Sequence, residues 1–350
     1  MDNSQFAQVT TLLPTREERG GGSSTSRWAI IYCPKQGVHR SQKRWERIKE
    51  LLDQYGVAYD FVQSEGADSV ERLAKMLCQN GYETLIIVGG DSALNRALNG
   101  MLSLGDEVRR RVAIGLIPNG RGNDFATYWG FSEDDDEATL RALIAHRLRA
   151  VDVGYLRYAE SPAPSPTPSP LGSIPGGSSA ELPLQQRFFL NCVNIGLAAN
   201  IMRLRYKTRR VLGLATLSYF ASMVLLLFQR MEQHVRLRVN EDTIDQRVMN
   251  VCVGNCRGYG QTPSAVPYNG SLDVSIVSQP AVLQLMEGIR LLFTGQFLNH
   301  EKVRPYRTTR RIRFEDISNS AVSVDGLVLD SAHAPLEIGL LPEHIQFIIP

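Results

Sequence analysis

Leu85-Ile-Ile-Val-Gly-Gly-Asp-Ser-Ala-Leu-Asn95 decides the fold of the first half of the chain. Its four leading apolar residues suit a strand covered on both faces, the environment of a parallel sheet. The run stops at Gly89-Gly90-Asp91, and a helical pattern begins within two residues. Glycines at such a bend let the backbone approach a phosphate, and a helix start offers unpaired N–H donors and a favourable dipole. In open parallel sheets, ligands bind at the carboxyl ends of strands. The same residues also satisfy a plain strand-to-helix turn, tightened by Gly-Gly and capped by Asp91.

A second bend repeats the logic. Val112-Ala-Ile-Gly-Leu-Ile117 reads as a strand and runs through Pro118 into Asn119-Gly-Arg-Gly-Asn-Asp-Phe-Ala126. Here Asn123 could bond a phosphate or ribose, and Asp124 could cap the next helix. Two glycine bends at successive strand ends are a much more specific signal than either alone.

The flanking sequence supplies the rest of the layer. Trp28-Ala-Ile-Ile-Tyr-Cys33 is a strand ending in the turn Pro34-Lys-Gln-Gly37, and Val57–Val62 is another. Helical spacing of Trp45, Ile48, Leu51 and Leu52 predicts a helix over 41–55. Further helices are expected over 68–80, ending near Asn80-Gly81, over 93–103, and over 136–148 after the acidic turn Glu133-Asp-Asp-Asp-Glu137. This alternation predicts a parallel, Rossmann-like α/β nucleotide domain over 28–150, behind a disordered tail at 1–27.

After Ala150 the pattern turns to short alternating strands: Val151–Leu156, Arg187–Asn194, Val235–Val239, Val248–Val253, Leu272–Val277, Arg311–Phe314, Ala321–Leu329, Leu336–Leu340 and Ile345–Ile349. Period-two alternation at this density predicts a β-sandwich-like domain over 151–350 with an inserted helix at 206–231. Residues 161–185 hold seven of the chain's 17 prolines. They read as a disordered insertion whose neighbours pair across it. The fold class is therefore α/β plus mainly-β.

Composition narrows the function classes. At roughly 150 residues per domain, 350 residues suggest two domains. Lys+Arg 38 against Asp+Glu 36 leaves no bulk positive field to argue for nucleic acid. The odd count of five cysteines, with no signal peptide ahead of them, predicts a cytoplasmic location. Cys252 and Cys256 are expected to be buried thiols rather than half of a zinc site. Leu212–Phe228 is uncharged, but 17 residues fall short of the ~20 that a span requires. It reads as a helix buried between layers or resting an apolar face on lipid. Cations at 203–210 and 302–313 could dock the chain on an anionic leaflet, or simply be solvated.

These motifs together resemble the diacylglycerol kinase catalytic-domain superfamily, which includes bacterial lipid kinases, sphingosine kinases and ceramide kinases. The family's Asn-Pro-x-x-Gly turn corresponds to Cys33-Pro34-Lys35-Gln36-Gly37. Its Gly-Gly-Asp-Gly-Thr-x-Asn-Glu corresponds to Gly89–Arg96, and its Pro-x-Gly-Thr-x-Asn-Asp-Phe-Ala to Pro118–Ala126. The resemblance continues through Asp152-Val-Gly154, Phe189-Leu-Asn191 with Gly196, the helix bearing Gly213 and Tyr219, and Gly254-Asn255. It then takes in Pro263-x-Ala265, Gly270-Ser-Leu-Asp273 and Val324-Asp325-Gly326 onward, so it covers about 28–350 without the proline-rich insertion.

The resemblance implies an ATP- and Mg2+-dependent kinase, peripheral to the membrane, that phosphorylates a lipid hydroxyl and is able to form oligomers. It makes Asp91 a catalytic base or metal-linked carboxylate and Asp325 a second catalytic carboxylate. It assigns Gly89, Gly90, Ser92, Asn95, Gly120, Arg121, Asn123 and Asp124 to the nucleotide, and places the lipid in a cleft between the domains. Metal ligands are not specified. Ser92 replaces the motif's fourth glycine, Ala93 and Arg121 each replace a Thr, Asn269 replaces an Asp, and Leu327 replaces the Glu of Asp-Gly-Glu. A glycine-rich run is contracted to Gln261-Thr262. These departures keep a second reading open, a lipid- or nucleotide-binding protein without efficient catalysis. A third is a soluble-substrate kinase of the NAD kinase or phosphofructokinase type. Asp325-Gly326 is also a hairpin signal in its own right.

Overall fold

The computed structural model describes residues 27–35, 39–66, 68–120, 122–160, 184–212 and 232–350. The expected tail, most of the proline-rich insertion, Arg121 and nearly all of Leu212–Phe228 lie outside the described residues. The chain divides into two compact units: Met1–Val153 with Pro267–Asn269 and Leu341–Pro350, and Gly154–Val266 with Gly270–Leu340. The final ten residues thus return to the first unit rather than staying with the β-rich half.

The first unit is the α/β layer that the alternating sequence predicts. Its elements are β1 (Trp28–Tyr32), α1 (His39–Gln54), β2 (Tyr59–Gln63), α2 (Ser69–Gln79), β3 (Thr84–Gly89) and α3 (Asp91–Leu102). They continue with α4 (Asp106–Arg111), β4 (Ala113–Pro118), α5 (Asp124–Tyr128) and α6 (Asp136–Ala145). Strands β2, β1, β3 and β4 lie in that order and are parallel, with Ile31 opposite Ile87 and Ile87 opposite Leu116. Strands β1, β3 and β4 are buried throughout, which explains their unbroken apolar runs. Trp45, Ile48 and Leu52 turn one face of α1 inward, and Trp45 stacks on Tyr32 at 4.7 Å between centroids. Burying a side chain of this size contributes about 1.5–3 kcal/mol. The short α4 was not legible, because six residues dominated by charge carry no apolar periodicity.

The second unit is an antiparallel sandwich. Further along the chain come β5 (Arg147–Glu160), β6 (Leu184–Phe189), β7 (Cys192–Gly196), α7 (Leu197–Leu212), β8 (Gln233–Val239), β9 (Asp242–Val248), β10 (Asn250–Gly254) and β11 (Leu272–Val277). They are followed by α8 (Val282–Phe293), β12 (Val303–Thr308), β13 (Ile312–Asp316), β14 (Val322–Val324), β15 (Leu327–Leu329) and β16 (Ala332–Ile349). One sheet has the order β12-β11-β10-β7-β14-β15. The other joins β9, β8, β13 and the first half of β16 to β5 and β6. Val193, Ile195, Val251, Val253, Val274 and Ile276 face Leu237, Val239, Phe314 and Ile338 in one shared core. Leu156 pairs with Arg187, so the neighbours of the proline-rich segment do pair across it.

Three expectations changed in detail. Arg187–Asn194 is two strands in different sheets, not one. The two expected terminal strands are one continuous strand, β16, whose last part pairs in parallel with β4 in the first unit. Helix α8 was missed: exposed apolar residues, Leu283, Met286 and Phe293, interrupt its polar side and blur the helical period. Among the described residues, no helix is long and apolar enough to cross a membrane.

Candidate functional site

Three bends leave the same edge of the first unit's sheet side by side. Strand β3 lies between β1 and β4, so Gly89-Gly90 is flanked by Cys33-Pro34-Lys35 on one side and 119–124 on the other. Backbone and amide bonds stitch the bends together. The Cys33 amide donates to the Val88 carbonyl at 2.9 Å and the Asn119 amide to the Gly89 carbonyl at 2.8 Å. Asn119 Nδ2 donates to the Cys33 carbonyl at 3.1 Å. Burial pushes the Cys33 thiol up to about 11, so it stands there as a neutral group.

The two glycine bends are in direct contact. A Cβ on Gly90 would lie 2.7 Å from Gly120 Cα, and one on Gly120 would lie 2.5 Å from Gly90 Cα. Both positions therefore require glycine for close approach, whatever their dihedral angles.

Asp91 locks this contact. It is the first residue of α3, where Gly90 occupies the cap position without a side chain to contribute. Its Oδ2 accepts the Asp124 amide at 3.0 Å and its Oδ1 accepts the Phe125 amide at 3.1 Å. The carboxylate thus serves the first turn of α5, the helix that follows β4. Burial pushes the Asp91 carboxyl up, while the Phe125 and Asp124 amides favour its charged form. Asn123 takes a left-handed φ of 54°, which a short polar side chain tolerates. Its Oδ1 accepts the Gly120 amide at 2.7 Å, so that donor is engaged within the loop. The Ala93 and Leu94 amides both donate to the Gly90 carbonyl, at 2.9 and 3.0 Å, and the Ser92 amide precedes these first intrahelical bonds.

The other nucleotide-assigned residues lie around this contact. Ser92 is half-buried one step into α3, and Asp124 is half-buried at the start of α5. Asn95 is fully buried in α3, where Asn99 Nδ2 donates to its Oδ1 at 3.3 Å. No group of three or more His, Cys, Asp or Glu side chains converges among the described residues. A magnesium ion shared with phosphate oxygens needs only one or two carboxylates, and Asp124 offers that donor chemistry.

Sequence reading missed four residues that build the bend. Arg44 donates to both Asp136 oxygens and, through Nη1, to the Pro118 carbonyl at 2.7 Å. Lys35 Nζ donates to both Glu133 oxygens at 3.0 and 2.9 Å, and Asn123 Nδ2 donates to Glu133 Oε1 at 2.7 Å. The acidic run 133–137 is thus divided among separate tasks. Glu133 and Asp136 pair with cations, and Asp135 caps α6 by accepting the Ala138 amide. Partners 92 and 98 residues apart leave no spacing signal in the sequence.

Asp325 belongs to the second unit. With Gly326 it forms the two-residue turn between β14 and β15, at φ 45° and 82°. Its carboxylate accepts the amides of Leu190, Asn191 and Cys192 at 2.9, 3.0 and 2.9 Å. Leu327 is buried at the start of β15. The contracted loop is held by side chains: Gln261 bonds Asn194 and Asn250, and Thr262 Oγ1 donates to the Cys256 carbonyl at 2.8 Å. Cys252 and Cys256 are buried free thiols. Most cations of the 302–313 cluster are paired: Arg307 with Asp273, Arg310 with Glu241, and Arg311 and Arg313 with Glu337.

Comparison with known proteins finds one family match in each half of the chain. Residues 27–156 match the diacylglycerol kinase catalytic domain, and 191–349 match the YegS C-terminal NAD kinase beta sandwich-like domain. A diacylglycerol kinase of Staphylococcus carnosus is 22% identical over 92% of this chain and 94% of its own length. A YegS-like lipid kinase of Chromohalobacter salexigens is 34% identical over 37% of this chain and 39% of its own. A solved diacylglycerol kinase structure from Bacillus anthracis str. Sterne shares the fold. Its TM-score is 0.62 at 16% identity, covering 94% of this chain and 98% of that one. The two matches follow one another in order, and the glycine bends touch where the motifs fall, so the chain carries a diacylglycerol kinase catalytic domain followed by a YegS C-terminal NAD kinase beta sandwich-like domain.

Proposed function

We propose that the protein transfers the γ-phosphoryl group of ATP to the hydroxyl of a diacylglycerol-like or sphingoid-like lipid. The observation that carries this reading is the Gly90–Gly120 contact, which sets two strand-end glycine bends side by side, where a polyphosphate would lie against them. Phosphoryl transfer depends mainly on positioning and charge stabilisation, so a rigid, donor-lined bend is the element it needs. The Ser92 amide, ahead of the first intrahelical bonds of α3, would meet a phosphate oxygen. Asp124 would hold magnesium, which would neutralise charge on the phosphates. Asp91 would take the hydroxyl proton as the lipid oxygen attacks the γ-phosphorus and ADP leaves; burial, by raising its pKa, makes it the stronger base.

Work at a cytoplasmic membrane surface fits a lipid acceptor. Helix α8 supports it, since Leu283, Met286 and Phe293 are 85%, 61% and 85% exposed and fall on one helical stripe. Arg290 lies on the same stripe, and Lys302 follows the turn that packs on α8 through His300.

A second reading is favoured by a specific observation. Both oxygens of Asp91 and of Asp325 already accept backbone amides. On that reading the bend binds nucleotide or lipid without efficient transfer. Incubation with labelled Mg-ATP and mixed lipid micelles separates the two. The kinase reading expects labelled lipid from the wild type and none from Asp91→Asn. Nucleotide binding with no transfer supports the second reading, and full transfer by Asp91→Asn removes Asp91 as the base.

A further inference from the structure

The nucleotide reading places a polyphosphate over Gly89-Gly90, and the side chains that flank this bend already share an anion. Lys35 follows β1, Asn123 follows β4, and β3 runs between them. The Glu133 carboxylate spans the two, accepting both bonds from Lys35 Nζ and one from Asn123 Nδ2. The Asn123 amide group itself lies against Gly90, its Oδ1 being 3.4 Å from where a Cβ on Gly90 would stand. A carboxylate is thus held beside the glycine bend by one cation and one amide donor, the chemistry that recognises a phosphate oxygen.

We propose that Glu133 is an internal competitor of the ligand's phosphates. It engages Lys35 and Asn123 until a more highly charged group displaces it. The proposal rests on the nucleotide reading and adds a selectivity rule to it. A polyphosphate repays the displacement with several charged oxygens, whereas a monophosphate replaces one carboxylate with a single anionic group. The pair is half-exposed, 32% for Lys35 and 31% for Glu133, so displacement needs no unfolding. Asp136 and Asp135, three and two residues along, cannot take over the role, because Arg44 and the start of α6 engage them.

Calorimetric titration of the full chain with inorganic tripolyphosphate, Mg-ATP and AMP tests this. Glu133→Gln is expected to tighten tripolyphosphate and Mg-ATP by about two- to fivefold, the upper part of the range for relief of a solvent-accessible ion pair. It is also expected to narrow the preference for ATP over AMP. In a Lys35→Gln background the gain shrinks, because the cation being contested is gone. Asp134→Asn removes the same charge from an exposed neighbour and is expected to leave affinity unchanged. If the wild type binds and Glu133→Gln binds equally or more weakly, Glu133 organises the bend and the competitor role is overturned. An equal gain in Asp134→Asn overturns it as well, since net charge would then explain the effect. If neither wild type nor variant binds tripolyphosphate or Mg-ATP, the nucleotide reading itself falls, and the competitor role with it.

Discussion

Replacing Gly90 with alanine isolates the contact on which the site depends. Gly90 has φ −106° and ψ −174°, a conformation that alanine adopts freely, so the substitution carries no backbone strain of its own. The added Cβ meets Gly120 Cα at 2.7 Å, and carbon atoms pack at about 3.5–4.0 Å, so the bends must part by about 0.8 Å or more. The neighbour is backbone and cannot rotate away. Opening the bends lengthens the Asn119–Gly89 bond and the two amide bonds to Asp91. Overpacking of this kind costs about 1–3 kcal/mol, and a shift near 1 Å at a reacting centre costs about a hundredfold in turnover. Chemical denaturation of Gly90→Ala reads the first effect, labelled-lipid transfer the second, and Mg-ATP titration the accompanying change in affinity. Gly66→Ala is the control, since nothing lies within 4 Å of its added Cβ, and it is expected to stay within about 0.5 kcal/mol of wild type. Wild-type stability and nucleotide affinity in Gly90→Ala would show that the bends neither touch nor cradle a ligand.

Asp325→Asn replaces a carboxylate that accepts three amides while keeping a side chain that tolerates the left-handed turn. It is expected to destabilise the second unit by about 2–4 kcal/mol in urea unfolding; unchanged stability with lost transfer would instead make Asp325 a reacting group. His234 is bonded to Asp316 and Asp245, which raise its pKa above 6.5. Its stabilising contribution is full below that value and is lost as pH rises through the folded pKa, so His234→Gln is expected to flatten the pH dependence of unfolding across that window. A slope unchanged in the variant would place the effect elsewhere. Leu283→Ser with Phe293→Ser is expected to reduce sedimentation with mixed phosphatidylcholine and phosphatidylglycerol vesicles without lowering the unfolding midpoint. Equal sedimentation would remove α8 from the membrane contact.

The legible parts of the fold were those governed by local rules. Unbroken apolar runs gave β1, β3 and β4 because both faces are covered, and Asp325-Gly326 gave its hairpin because only a few residues accept that turn. Both glycine bends were legible as bends, since each combines a strand end, glycine and a helix start. What they do to each other was not. Asp91 reads as a cap for its own helix, yet its bonds go to 124 and 125, a choice made by strand order. The break between β6 and β7 was hidden for a related reason: Asp325, far along the chain, takes the amides at 190–192. Lys35, Arg44, Glu133 and Asp136 carry no local signal of their pairing, because their partners are brought close only by the sheet.

Hydrogen–deuterium exchange with and without Mg-ATP tests the central claim most directly. The account predicts slowed exchange at the amides of 90–94 and 119–126 and little change across β14 and β15. Nucleotide binding that protects other segments, and leaves both bends exchanging as in the free protein, would contradict it.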